Sequence, residues 1–201
     1  GVAIHADLCQ ECQNQIAQVT DQVAESNFEF EEQFLDRFIV DENKDATPSF
    51  EQMIAEITSS EDIQSVEPKP EKLISFNDQS YVLPTALHNM NLGKTAHIGK
   101  LSRARIQLNE DEIHTSLLHI EPGGGVPEHT HKGFELTLLL DGSFEDENGE
   151  YVKGDFIMLN HEHQHHPISS KGCLCYTVAN DALQFTQGFN KLLNPIGSLI
   201  Y

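Results

Sequence analysis

Positive charge is scarce in this chain. Of its 201 residues, 12 are Lys or Arg and 32 are Asp or Glu, a net charge of −20 with histidine neutral. A surface this negative repels a phosphate backbone, which argues against direct nucleic-acid binding. It disfavours anionic membrane surfaces for the same reason. Long apolar runs are missing too: none approaches the ~18 residues that a membrane-spanning helix needs. The opening residues, Gly1-Val2-Ala3-Ile4-His5, lack the basic stretch and apolar segment of a signal peptide and lack an initiating Met, so a chain processed upstream is expected. Cysteine is sparse. The four fall in two close pairs, Cys9 with Cys12 and Cys173 with Cys175, not in the framework of a disulfide-rich secreted domain. That usage points to a reducing cytoplasm. No internal repeat is visible. The run Gly123-Gly124-Gly125 lacks the Lys-Ser/Thr and the helix of a phosphate loop, and reads as a tight turn.

What remains is enough for a real core. A length of 201 allows one or two domains, and 38% apolar residues argue against wholesale disorder. The charge is uneven. Residues 1–80 carry 18 acids and 4 bases, a net of −14, and residues 81–201 carry 14 acids and 8 bases, a net of −6. Two readings stand: a well-solvated acidic surface, or a surface that meets a basic protein partner.

The hydrophobic period changes along the chain. Residues 6–38 read as helical, with Ile16, Val19 and Val23 on one face and a second stripe of Phe30, Phe34, Leu35 and Phe38. The second stripe reads as core, with a partner-binding groove face as the alternative. Residues 41–48 are a polar break, and Pro48 or Ser49 opens a helix containing Phe50, Met53, Ile54 and Ile57. A polar, acidic, proline-closed stretch reads as a linker. From about residue 73 the pattern alternates, in short runs separated by Asp141-Gly142, Asn148-Gly149 and Lys171-Gly172. Such spacing predicts an antiparallel sandwich or barrel. The expected organisation is a helical region at 1–58, a linker at 59–72 and a barrel at 73–201. The apolar tail at 185–201 is expected to cover a sheet edge or another subunit. Arg103 and Arg105 are expected to pair with nearby acids.

Eight of the eleven histidines lie between positions 114 and 166. Residues two apart in a strand face the same side, so His129 and His131 can aim two imidazoles into one interior. Glu135 can add a carboxylate after a bend at Gly133, and an antiparallel strand can bring one of His161, His163, His165 or His166. Two or three imidazoles with a carboxylate suit a divalent transition metal and leave an open position. Nearer the start, His5, Cys9 and Cys12 stand at i, i+4 and i+7, one face of a helix. One imidazole and two thiolates need one more ligand to close a tetrahedral zinc site. Without metal, Cys9 and Cys12 could pair with each other. Cys173 and Cys175 point to one side of a strand, either as a redox pair or as two small apolar residues in a barrel wall.

Gly123-x5-His129-Thr130-His131-x3-Glu135-x6-Gly142 resembles the first cupin motif at every position, which implies a small antiparallel, jelly-roll-like barrel around a metal. The stretch 127–156, with its Thr137-Leu138, Phe144 and Asp146-Glu147 spacing and its Gly154-Asp155, is similar to the C-terminal domain of ChrR-type anti-sigma factors. The similarity covers roughly residues 84–187. It implies His165, in His165-His166-Pro167, as the last ligand, beside His129, His131 and Glu135. The metal it implies is zinc first, with Fe, Mn or Ni as alternatives. That family joins its barrel to an N-terminal zinc-binding anti-sigma domain carrying the signature of His5, Cys9 and Cys12 and a further upstream His. The four residues before His5 offer no counterpart to that His, so the resemblance implies a truncated helical domain. The function it implies is an anti-sigma factor that sequesters a group IV (extracytoplasmic-function, ECF) sigma factor and releases it on an oxidative or related stress signal. It also implies a homodimer. The competing readings are a metal-dependent cupin enzyme of dioxygenase or isomerase type, and a binding module for a small ligand at the barrel mouth. A plain enzyme has no need of the N-terminal triplet or a long acidic helical region.

Overall fold

The computed structural model describes residues 1–38, 50–60, 70–110, 112–181 and 183–186, without the side chains of residues 29–38 and Phe50. The polar break at 41–48, most of the linker, the Phe30–Phe38 side chains and nearly all of the apolar tail lie outside the described residues. The chain divides into two compact units: Gly1–Gln10 with Glu71–Tyr201, and Glu11–Pro70.

The second unit is helical. Helix α2 (Gln10–Phe38) runs 29 residues with no Gly or Pro to interrupt it, and α3 (Phe50–Ser59) follows. Ile16, Val19 and Val23 of α2 are each more than half exposed, and Ile54 and Ile57 of α3 are exposed as well. The chain does not enter α2 as one continuous helix. A short α1 (Val2–Leu8) ends at Cys9, whose backbone is extended at φ −103° and ψ 110°. His5, Cys9 and Cys12 therefore do not share one uninterrupted helix.

The first unit is β. Its strands are β1 (Leu73–Phe76), β2 (Gln79–Val82), β3 (Leu92–Ile98), β4 (Leu101–Ile106), β5 (His114–Ile120), β6 (Gly124–Gly125) and β7 (His129–His131). They continue with β8 (Phe134–Asp146), β9 (Gly149–Val152), β10 (Phe156–Asn160), β11 (Gln164–His165), β12 (Ile168–Ser169), β13 (Cys173–Ala179) and β14 (Leu183–Phe185). A nine-stranded sheet runs β3-β4-β5-β13-β8-β12-β6, with β9 and β10 also paired to β8. A three-stranded sheet, β11-β7-β14, lies with it, and all the pairings are antiparallel.

The central strands are buried on both faces, which explains their near-continuous apolar character. One face contributes Ile120, Val126, Leu139, Phe144, Cys173 and Cys175 to the barrel interior. The other contributes Leu117, Leu138, Leu140, Leu174 and Tyr176 to a second core, closed by Ile4 of α1, Phe76 of the β1–β2 hairpin and Leu87 of a one-turn 3-10 helix, Thr85–Leu87. The Ala86 N–H donates to Asp7 Oδ2 at 3.2 Å, which fastens α1 to that turn. These contacts place α1 with the barrel. Arg103 Nε donates to Ser116 Oγ at 2.9 Å, and Arg105 contacts His114.

Two glycines shape β8. Gly142 has φ +75° beside a register shift between β8 and β13, and a Cβ there would collide with the carbonyl of Gly172. This bulge bends the strand so that its two halves serve different parts of the barrel. Gly133 leaves room for Asn180, whose Oδ1 accepts from the Phe134 N–H at 2.8 Å and holds the bend between β7 and β8.

Candidate metal centre

The geometry follows from strand pairing. His129 and His131 are the ends of β7, both on its inward face. In the β11–β7 pair His165 stands directly opposite His129, so its imidazole is delivered to the same side. Glu135 is the second residue of β8, opposite Leu159 of β10 and Ala179 of β13. All four are buried, none more than 7% exposed.

The donor atoms of His129, His131 and His165 lie within 4.8 Å of one another. His165 Nε2 is 2.9 Å from His129 Nε2 and 3.4 Å from His131 Nε2. Glu135 Oε2 lies 3.6 Å from His131 Nδ1, and Glu135 Oε1 accepts from Thr137 Oγ1 at 3.0 Å. Of the alternatives to His165, His166, His161 and His163 are exposed, and His163 Nδ1 lies 2.7 Å from Asn160 Oδ1.

The tautomers are set from behind. His129 Nδ1–H donates to the Pro127 carbonyl at 2.8 Å, and His165 Nδ1–H donates to Asp146 Oδ2 at 3.1 Å. With both Nδ1 positions protonated, the two Nε2 lone pairs face each other at 2.9 Å. Burial pushes the His129 imidazolium down to about 4, helped by the neighbouring His165. Burial lowers His131 and His165 as well, against the opposing pull of Glu135. Neutral imidazoles with converging, proton-free lone pairs repel one another unless a cation lies between them. Two nitrogens on one tetrahedral zinc stand about 3.3 Å apart, given Zn–N bonds of about 2.0–2.1 Å, close to the His131–His165 spacing. The residues present therefore fit a divalent metal.

The space beside the trio is small. A cavity of about 40 Å³ is bounded by His129, Glu135 and His165 and by the apolar Leu118, Val126 and Phe144. That is room for about one water molecule, far below the roughly 300 Å³ at which organic-ligand pockets begin. Cys175 also borders it, and its Sγ is 4.0 Å from that of Cys173. The contact between the thiols lowers Cys173 and raises Cys175.

At the chain's start, His5 Nδ1–H donates to the Gly154 carbonyl at 2.7 Å, which leaves Nε2 as its ligand atom. His5 and Cys9 belong to the first unit and Cys12 to the second. All three are half-buried. Sequence reasoning missed Asp146 and Thr137, the partners of His165 and Glu135. Asp146 was visible only as a position in a longer motif.

A curled antiparallel sheet with histidines and a glutamate turned into it defines the molecule as a cupin. The ChrR cupin-like domain matches residues 81–183, and the chain belongs to that family. The anti-sigma-E factor ChrR of Cereibacter sphaeroides is 38% identical over 81 residues. That match covers 39% of this chain and 38% of the relative, so it spans well under half of that protein's length. Among solved structures, Rhodobacter sphaeroides SigE in complex with the anti-sigma ChrR matches with 25% identity and a TM-score of 0.48, over 89% of this chain and 85% of that one. An RmlC-like cupin from Ralstonia eutropha matches with 14% identity and a TM-score of 0.43, over 49% of this chain and 68% of that one. Among the described residues, no helix is long and apolar enough to cross a membrane.

Proposed function

We propose that this protein is an anti-sigma factor whose helical region sequesters a group IV (ECF) sigma factor. Its barrel is a metal centre that senses an oxidative or related stress signal. The observation that carries the reading is membership of the ChrR cupin-like family together with the 38% identity to a protein named an anti-sigma factor. The helical unit lends support. Ile16, Val19 and Val23 form an exposed apolar stripe at i, i+3 and i+7 on α2, within residues 1–80, whose net charge is −14. An apolar stripe in an acidic setting suits a basic, DNA-binding partner, since complementary charge speeds encounter and apolar anchors hold the complex. On this reading the protein works in the cytoplasm and keeps its partner from RNA polymerase.

In the barrel, His129, His131, His165 and Glu135 are the proposed ligands, with zinc as the first choice. His5, Cys9 and Cys12 are proposed for a second zinc, completed by a further ligand. A bound divalent metal would supply a fixed positive charge and a Lewis-acid position open to one small molecule. The protein's own part is to hold three neutral imidazoles toward one point and to exclude bulk water. Release of the partner requires an element with two arrangements whose balance the barrel biases. The competing reading, a metal-dependent cupin enzyme of dioxygenase or isomerase type, has weaker support because the cavity beside the trio admits about one water.

The test is a pull-down of the full protein with each group IV sigma factor of its source organism. One of them is expected to co-purify and to lose transcription activity in a defined RNA polymerase assay. Replacing Ile16, Val19 and Val23 together by Ala should weaken that binding at least tenfold while leaving the helical content intact. A protein that retains none of these sigma factors would refute the anti-sigma reading.

A further inference from the structure

Asp146 is a buried carboxylate, its side chain 1% exposed, at the inner end of the β8–β9 hairpin. A buried charge is costly unless hydrogen bonds satisfy it. Its two oxygens divide their work. Oδ1 accepts from the Asn148 N–H at 2.7 Å and closes the two-residue turn between Asp146 and its partner Gly149. Oδ2 accepts from His165 Nδ1–H at 3.1 Å. The next residue grips the chain just past that histidine: Glu147 Oε2 accepts from the His166 N–H at 3.1 Å. The hairpin tip therefore holds two consecutive residues, His165 at the end of β11 by its imidazole and His166 just after it by its backbone. A turn alone needs only one acceptor, so the second oxygen of Asp146 and its burial against His165 call for another explanation.

We propose that Asp146 is a positioning residue of the barrel's metal centre, fixing His165 as the Nδ1–H tautomer with Nε2 toward His129 and His131 and thereby setting the affinity for a divalent cation. The proposal rests on the reading of those three histidines as ligands. Outer partners of metal-bound histidines fix ring orientation and raise ligand basicity, and losing one costs about 10–100-fold in metal affinity. His129 has the Pro127 carbonyl in this role, while His131 Nδ1 has no hydrogen bond and faces Glu135 at 3.6 Å. Asp146 gives His165 the same kind of outer support from a carboxylate that is not itself a proposed ligand.

Asp146→Asn separates this role from a structural one. Asparagine keeps the shape, and its Oδ1 caps the turn as well as an aspartate does. Its amide N–H₂ then faces His165 Nδ1, where a donor must meet an acceptor, so the imidazole proton moves to Nε2 and the lone pair at the centre is lost. Three measurements on the full chain decide the matter: zinc affinity by competition with a chromogenic chelator, the His165 tautomer by ¹⁵N NMR of the metal-free protein, and metal-free thermal unfolding. The expected result for D146N is zinc binding at least tenfold weaker, a His165 shifted to the Nε2–H tautomer, and little change in unfolding. Glu147→Gln, which leaves the imidazole contact intact, should keep wild-type zinc affinity. Asp146→Ala is the second variant and should match or exceed the loss in D146N. Zinc affinity in D146N and D146A within twofold of wild type would overturn the proposal while leaving the metal centre standing. A wild-type chain that takes up no zinc would overturn the centre and the proposal with it.

Discussion

His119 shows how one residue can tie pH to stability. It is the next-to-last residue of β5, fully buried, stacked on Phe76 at 5.3 Å between ring centres. Tyr81 OH donates to Gln79 Oε1 at 2.8 Å, and His119 Nε2–H donates to the same oxygen at 2.9 Å. Its Nδ1 is then a bare lone pair with no hydrogen-bond partner. Burial lowers its pKa below the ordinary 6.5, with Glu121 pulling weakly the other way. The unfolded chain therefore takes up this proton first. Stability from His119 is intact above about pH 6.5 and falls as the pH drops below it. Urea midpoints measured between pH 7.5 and 5 should fall in the wild-type protein and fall less steeply in His119→Gln. Equal slopes would show that the burial of His119 carries no such linkage. His119 stood in the sequence only as part of an alternating run. Nothing local told which of its neighbours would cover it, because Phe76, Gln79 and Tyr81 arrive from a hairpin some forty residues earlier.

At the level of elements, what is local in the chain was legible and what depends on long-range register was not. The period-2 spacing of His129 and His131 and the turn at Gly133 already placed two imidazoles and Glu135 on one side of the barrel. The last histidine stayed open among four on spacing alone, and only the family resemblance favoured His165. The β11–β7 register sets His165 opposite His129 and leaves His166 exposed. The Asp146 contact required a second register as well, that of the β8–β9 hairpin against β11. The helical reading of 6–38 runs across the break between α1 and α2, which no Gly or Pro marks. Helix α1 ends at Cys9 where Ile4 turns into the core beside Phe76 and Leu87. Ile4 is 2% exposed, so Ile4→Ala should destabilise the first unit by about 2–4 kcal/mol, read as a shift in the urea midpoint of the barrel's near-ultraviolet signal. An unchanged midpoint would mean that α1 rests on the sheet without holding it.

For the whole molecule, the charge that disfavours nucleic acid suits a protein that acts on transcription through a DNA-binding partner. The barrel belongs to a family in which a curated relative bears the name of an anti-sigma factor, and its three converging imidazoles could hold a divalent ion. The proposed sensing of a small species needs no more room than the cavity of about 40 Å³ beside the trio. All of this depends on the imidazole trio holding metal. The direct measurement is the metal content per chain, by inductively coupled plasma mass spectrometry, of the wild-type protein and of a His129→Ala/His131→Ala double variant purified side by side. The account predicts that the double variant, still folded, carries about one metal ion fewer per chain than the wild type. Equal metal content in the two proteins would contradict it.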